Sequence, residues 1–234
     1  MRIEVGAATD VGRVRDGNED AFLVREGLFV VADGMGGHLG GEVASSLALE
    51  VVERMSERGE GTLAERALEA NRAVHERSLL DRTVAGMGTT LTALEVDGAR
   101  ARIAHVGDSR AYRLRDGNLE PLTEDHTLVR DLVRSGEIAP EEERTHPHRN
   151  VLRRVLGTER DVEVDEGEVD LRAGDRYLLC SDGLTGMLED GRIAEVLVET
   201  AGDPQGAAAR LVELANEAGG TDNVTVVVLD VADA

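Results

Sequence analysis

The chain has 234 residues, 41% hydrophobic and 31% charged, with a formal net charge of −21 and one cysteine, Cys180. These values exclude a disordered chain, an internal disulfide framework, and a surface built to bind nucleic acid or anionic membranes, whose phosphates would be repelled. No apolar run nears the roughly 20 residues of a membrane helix, and MRIEVGAATD is too acidic for a signal peptide, so a cytoplasmic setting is expected.

In chain order, periodicity predicts strands over 3–9, 20–25 and 28–32. The last of these, Leu28 to Ala32, is apolar without a break and ends on Asp33, before the glycine-rich stretch GMGGHLGG. Two helices are expected next, over 42–57 and 63–80. In the first, Ala44, Leu47, Ala48, Val51, Val52 and Met55 recur at helical spacing. The second opens with Thr62 and Glu65 in capping-box register. Strands over 89–96, 99–106 and 111–115 then read as an antiparallel meander, because Asp97-Gly98 and Asp116-Gly117 are strong hairpin signals.

Residues 124–160 differ. TLVRDLVRSGEI has a short helical pattern, and the polar APEEERTHPHRN follows, so this stretch reads as a mobile excursion. The chain returns with a strand over 175–181, helices over 190–199 and 204–218, and a last strand over 223–231. Helix pairs before and after the strands suggest sheets covered by helices, a single α+β domain over 1–234.

Aspartates recur where these strands end. FVVADG places Asp33, IAHVGDSR places Asp108, YLLCSDG places Asp182, and GGTDN puts Asp222 just before the last strand. RDGNEDA sets Glu19 and Asp20 at the start of another. Six acidic residues at strand ends are candidates to meet at one edge of a sheet sandwich. Two carboxylates 4 Å apart repel by about 4 kcal/mol at an effective dielectric of 20. Hard divalent cations such as Mg²⁺ or Mn²⁺ remove that penalty, because they prefer oxygen ligands. Shared carboxylates can hold two such ions in the arrangement that supports in-line phosphoryl displacement. The Gly34 carbonyl is a further candidate ligand, which would explain the missing side chain there.

The motifs RDGNEDA, VVADGMGGHLGGEVAS, GTT, VGDSRAY, LTEDHT, HRNVLRRVLG, LLCSDGL and GGTDNVTVVV, in this order, resemble the metal-dependent protein phosphatases of type 2C, the PPM family. They span nearly the whole chain. The resemblance implies a four-layer α/β/β/α sandwich of two antiparallel sheets flanked by helix pairs. It implies hydrolysis of phosphoserine and phosphothreonine in proteins by a water-derived nucleophile held between two Mn²⁺ or Mg²⁺ ions. Asp33 would then bridge the two metals and the Gly34 carbonyl would complete one of them. Asp182 and Asp222 would hold the first metal, Glu19 the second, and Asp20 would ligate or hold metal waters. Arg15 would grip the substrate phosphate, since a planar guanidinium suits bidentate contact. Asp108 corresponds to a ligand for a weaker third metal beside a flap at 124–160, or else organises its own loop. His38 is open between proton donor to the leaving group and substrate binding, because Met35 stands where animal members carry the histidine directly after Asp-Gly. Phosphorylated proteins, substrates of a Ser/Thr kinase, are the expected partners, with the phosphatase acting as a monomer.

Other chemistries fit less well. His75 falls in a helix, and His126, His146 and His148 lack zinc-ligand spacing. A cysteine-dependent phosphatase would need an arginine six residues after Cys180, where Gly186 stands. GMGGHLGG lacks the Gly-Lys-Ser/Thr ending of a nucleotide loop, and the chain contains no lysine. The alternative is a catalytically weak, metal-sensing interaction domain on the same fold.

Overall fold

The computed structural model describes residues 1–37 and 39–233. Eleven strands and six α-helices are described, in the order β1 (Arg2–Asp10), β2 (Asp20–Arg25), β3 (Leu28–Met35), α1 (Gly40–Glu57), α2 (Leu63–Leu80), β4 (Gly88–Thr89), β5 (Leu91–Asp97), β6 (Arg100–Val106), β7 (Arg110–Arg115), β8 (Asn118–Pro121), α3 (Leu128–Ser135), β9 (Asp165–Asp170), β10 (Arg176–Cys180), α4 (Asp182–Thr185), α5 (Asp190–Glu199), α6 (Pro204–Glu217) and β11 (Val224–Ala232). One sheet runs β1-β11-β10-β7-β8 and the other β2-β3-β5-β6-β9, with β4 paired to β3. Every pairing within them is antiparallel.

The uninterrupted apolar strands arise because both faces are covered. In β3, Phe29 and Val31 point into the space between the sheets, whereas Val30 and Ala32 pack against α1. In β11, Val227, Leu229 and Val231 fill that inter-sheet layer, and Val226 and Val228 face α5 and α6. The helices contribute their apolar stripes: Ala44, Ala48, Val51 and Val52 of α1 on one side, Ala207, Ala208 and Leu211 of α6 on the other. The result is the expected α/β/β/α sandwich. Each fully buried Val or Leu in these layers contributes about 1.5–3 kcal/mol. The Thr62 capping box forms as predicted, with the Glu65 amide donating to Thr62 Oγ1 (3.2 Å) and the Thr62 amide to Glu65 Oε2 (2.7 Å). Cys180 is fully buried in its strand, and burial pushes its thiol up to about 12.

Four local expectations are corrected. First, β3 does not stop at Ala32: Asp33, Gly34 and Met35 remain in the strand, because Asp33 pairs with Asp20 on one side and Gly34 with Thr89 on the other. Second, the middle strands are not one meander. β5 and β6 form a hairpin in one sheet, but the chain crosses at Gly107–Ser109 and β7 and β8 form a hairpin in the other. Third, the strand ending at Cys180 is followed by a single helical turn that begins at Asp182. Fourth, β8 and β9 were not expected; both are edge strands with polar, exposed sequences that lack alternation. The segment after α3 returns at Leu152 and Leu156, which bridge to Thr127 and Thr89, and Leu156 is fully buried in the α1–α2 side of the core.

Candidate active site

The sandwich brings the acidic strand ends to one edge. A cavity of about 850 Å³ opens there, walled by Arg15, Glu19, Asp33, Gly34, Asp108, Asp182 and Asp222. Asp20 lies buried directly opposite Asp33 across the β2–β3 pair, without reaching the cavity wall. His38 lies outside the described residues. A second cavity of about 520 Å³ shares Asp108 and Asp182 and runs beneath the 124–160 segment, past Arg130, Pro140 and Arg144.

Each carboxylate is set by backbone bonds that the local sequence supplies. The Asp33 amide donates to Thr90 Oγ1 (2.9 Å), and its carbonyl accepts from the Thr90 amide (2.8 Å) and Thr89 Oγ1 (3.0 Å). Thr90 Oγ1 also pairs with Ser109 Oγ (2.7 Å), joining the Asp33 strand to the Asp108 turn. Ser181 Oγ donates to Asp20 Oδ2 (2.7 Å) and accepts from the Thr225 amide (2.9 Å). Asn223 organises the loop ahead of β2: its side-chain amide donates to the Val11 and Gly17 carbonyls (2.9 Å each), and its Oδ1 accepts from the Glu19 amide (2.8 Å). Ser181, Thr90 and Asn223 went unread in the sequence, although each sits within a quoted motif. The Gly34 position also has a different cause from the one expected. A Cβ there would fall 2.1 Å from the Gly41 carbonyl oxygen and 2.7 Å from that of Glu19, so the close approach of α1 excludes a side chain.

Four carboxylates of the site are held above their ordinary range. Burial pushes Asp20 up to about 7, with Asp182 and Asp222 adding repulsion against the Ser181 hydrogen bond. Burial, followed by the charge of Asp222, lifts Asp182 to about 6. Asp33 is held well above the usual carboxylate range by burial and by Asp20 and Asp182, and Asp108 likewise by burial, Asp182 and Asp125. Asp20 Oδ1 and Asp182 Oδ1 are buried and have no hydrogen-bond partner. Unpartnered, desolvated carboxylate oxygens fit a hard divalent cation, which takes oxygen ligands and offsets the repulsion. Among the described residues, no three His, Cys, Asp or Glu side chains stand gathered as a finished ligand set. Asp20 instead accepts from Ser181, and Asp222 from Arg15. Arg15 Nη2 donates to Asp222 Oδ2 at 2.7 Å while half of its side chain remains exposed, and that bond raises the guanidinium pKa.

A family model described as Protein phosphatase 2C matches residues 13–214. The serine/threonine protein phosphatase PstP of Mycobacterium tuberculosis is 44% identical over 99% of this chain and 45% of its own length. The serine/threonine phosphatase stp of Listeria welshimeri is 39% identical over 95% of this chain and 93% of its own. The crystal structure of the PstP catalytic domain in complex with two manganese ions superposes with a TM-score of 0.90 at 42% identity, covering 99% of each chain. The chain thus belongs to the protein phosphatase 2C family. It spans about half the length of the mycobacterial relative.

Proposed function

We propose that this chain is a Mn²⁺- or Mg²⁺-dependent serine/threonine protein phosphatase. The observation that carries the reading is the set of carboxylates on one cavity, with the orphaned, buried Asp182 Oδ1 on its wall, that of Asp20 behind it and a half-exposed arginine at its mouth. Asp33, Asp182, Asp222, Glu19 and the Gly34 carbonyl are the proposed ligands, with Asp20 behind them and Asp108 at a weaker, third position. When bound, the ions would supply Lewis-acid stabilisation of the phosphoryl oxygens and a water acidic enough to attack near neutral pH. Arg15 binds and orients the phosphate: Asp222 fixes one face of its guanidinium, leaving further N–H donors for two phosphate oxygens. Asp33, rigid on its Thr89–Thr90 bonds, sets the attacking water against phosphorus. Attack by the water oxygen, which gives up a proton to solvent, would form one P–O bond as the bond to the serine or threonine oxygen breaks and that oxygen takes a proton. His38 is the proposed donor of that proton or a substrate contact.

Residues 1–234 would form one catalytic domain, with 124–160 as its flap. Among the described residues no helix is long and apolar enough to cross a membrane. The charge of −21 argues against nucleic-acid and anionic-membrane partners, and a cytoplasmic monomer acting on phosphoproteins made by a Ser/Thr kinase is the reading that goes with the family. Hydrolysis of a phosphothreonine peptide tests the reading. Turnover should require Mn²⁺ or Mg²⁺ and stop with EDTA. Metal binding without turnover would favour the metal-sensing interaction domain instead, and full activity in chelator would sink the two-metal reading.

A further inference from the structure

His126 belongs to none of the groups assigned so far, yet it is 5% exposed and uses all of its polar atoms. Its amide donates to the Gly107 carbonyl (2.8 Å), and its ring Nδ1 accepts from the Gly107 amide (3.1 Å). One residue therefore grips both backbone polar groups of Gly107, the residue that precedes Asp108. On its other side, the His126 carbonyl accepts from the Arg153 amide (2.7 Å), and ring Nε2 lies 3.1 Å from Asp165 Oδ2. Asp165 Oδ1 in turn accepts from Arg154 Nη1 (2.6 Å). Arg153 and its neighbours Leu152 and Val155 form the wall of the acidic cavity facing Asp33 and Asp108.

Gly107 is also closely approached by Thr90. Its φ is +112°, and a Cβ there would fall 2.5 Å from Thr90 Cγ2. Thr90 is the same residue that fixes the Asp33 backbone. The Gly107–Asp108 turn is thus held between Thr90 and His126. Because the Gly107 N–H needs a lone pair on Nδ1, the ring must be neutral with its proton on Nε2, which then donates to Asp165. The neighbouring His105 ring, 4.7 Å away, is tied to Thr92 Oγ1 and the Glu124 carbonyl, so it takes neither of these bonds.

We infer that His126 is a positioning residue, a neutral Nε2–H clamp that sets Asp108 on the cavity floor in register with the 150–155 wall. This rests on the reading of Asp108 as a carboxylate of the active site. The clamp acts through Gly107 and touches neither phosphate nor metal. Asn and Gln separate its two functions, because Asn Oδ1 replaces Nδ1 as the acceptor while Gln Nε2 replaces the donor to Asp165.

Two measurements test the inference. ¹⁵N NMR of the metal-free wild-type protein should find His126 as the Nε2–H tautomer, and the Gly107 amide should move in His126→Gln far more than in His126→Asn. In a Mn²⁺ titration with a phosphothreonine peptide, His126→Gln should lower kcat about 10- to 100-fold with KM little changed, the loss typical of a supporting residue. His126→Asn should stay within about threefold of wild type. The double variant His126→Gln with Asp108→Asn should be no slower than Asp108→Asn alone. An Nδ1–H tautomer, or equal kcat losses in the Gln and Asn variants that multiply with Asp108→Asn, would overturn the clamp. Wild-type turnover by Asp108→Asn would instead overturn the reading of Asp108, leaving the tautomer and the Gly107 amide to judge the clamp alone.

Discussion

Asp175 and Asp182 are seven residues apart, and both carboxylates are taken out of water, yet they are treated in opposite ways. Asp175 receives two hydrogen bonds from Arg115 (2.7 Å each), one from the Arg172 amide (2.8 Å) and one from the Tyr177 hydroxyl (3.2 Å). Burial alone would raise its pKa, but these bonds, led by that of Arg115, hold it below the usual value. Asp182 has an orphaned Oδ1, more carboxylates beside it and a pKa lifted to about 6. A chain with 26 arginines supplies a guanidinium where the fold needs a charge neutralised. At the cavity, Arg15 pairs with Asp222 at the rim and Arg153 in the wall lies against Asp131, so neither guanidinium is bonded to Asp182. The counter-charge missing at the cavity is the one that divalent cations would bring.

The contrast can be broken from either side. Replacing Asp33 or Asp182 with alanine should cut turnover at least about 100-fold, because loss of mere supporting groups around a metal already costs 10- to 100-fold. The same changes relieve repulsion, so in EDTA the variants should melt no lower than wild type, as thermal denaturation would record. Asp175→Asn should do the reverse. Breaking a buried pair costs about 3 kcal/mol of stability, visible in urea denaturation, with kcat per folded molecule unchanged.

Proton linkage at His105 gives a further comparison, with a buried base in place of a buried acid. Burial pushes His105 down to about 4 from an ordinary 6.5. The unfolded chain takes up a proton below pH 6.5 that the folded chain refuses until about pH 4. Acid therefore favours unfolding across that window, up to about 3 kcal/mol in all. In EDTA, the stability advantage of wild type over His105→Gln should shrink between pH 7 and pH 4.5. A constant advantage would mean that His105 titrates normally in the fold. Smallest of the expected effects is Arg15→Ala, which removes one charge-assisted contact. That should lower kcat/KM about 10-fold, mostly through KM, whereas an unchanged KM would remove Arg15 from phosphate binding.

The layers and most elements were legible because apolar runs and helical stripes report burial directly: Leu28 to Ala32, the α1 stripe and the Thr62 cap all form as read. The acidic set was legible because aspartate at the end of an apolar run is costly unless something uses it. Sheet membership was not, since Asp97-Gly98 and Asp116-Gly117 specify hairpins but not which sheet receives each. Nor were β8 and β9, whose edge positions demand no alternation. The supporting groups were hidden for a further reason. Ser181, Thr90, Asn223 and His126 act through bonds between residues 19 to more than 200 positions apart, which no local pattern encodes.

The claim that divalent cations supply the missing charge is tested most directly by calorimetry of Mn²⁺ binding to the metal-free protein at pH 6 and pH 8. Two tight equivalents should bind at both values. Binding at pH 6 should also release protons to the buffer, because Asp20 and Asp182, held near 7 and 6, must ionise first. That release should fade at pH 8 and be lost, with tight binding, in Asp33→Ala. Failure to bind Mn²⁺, or equally tight binding by Asp33→Ala, would contradict the account.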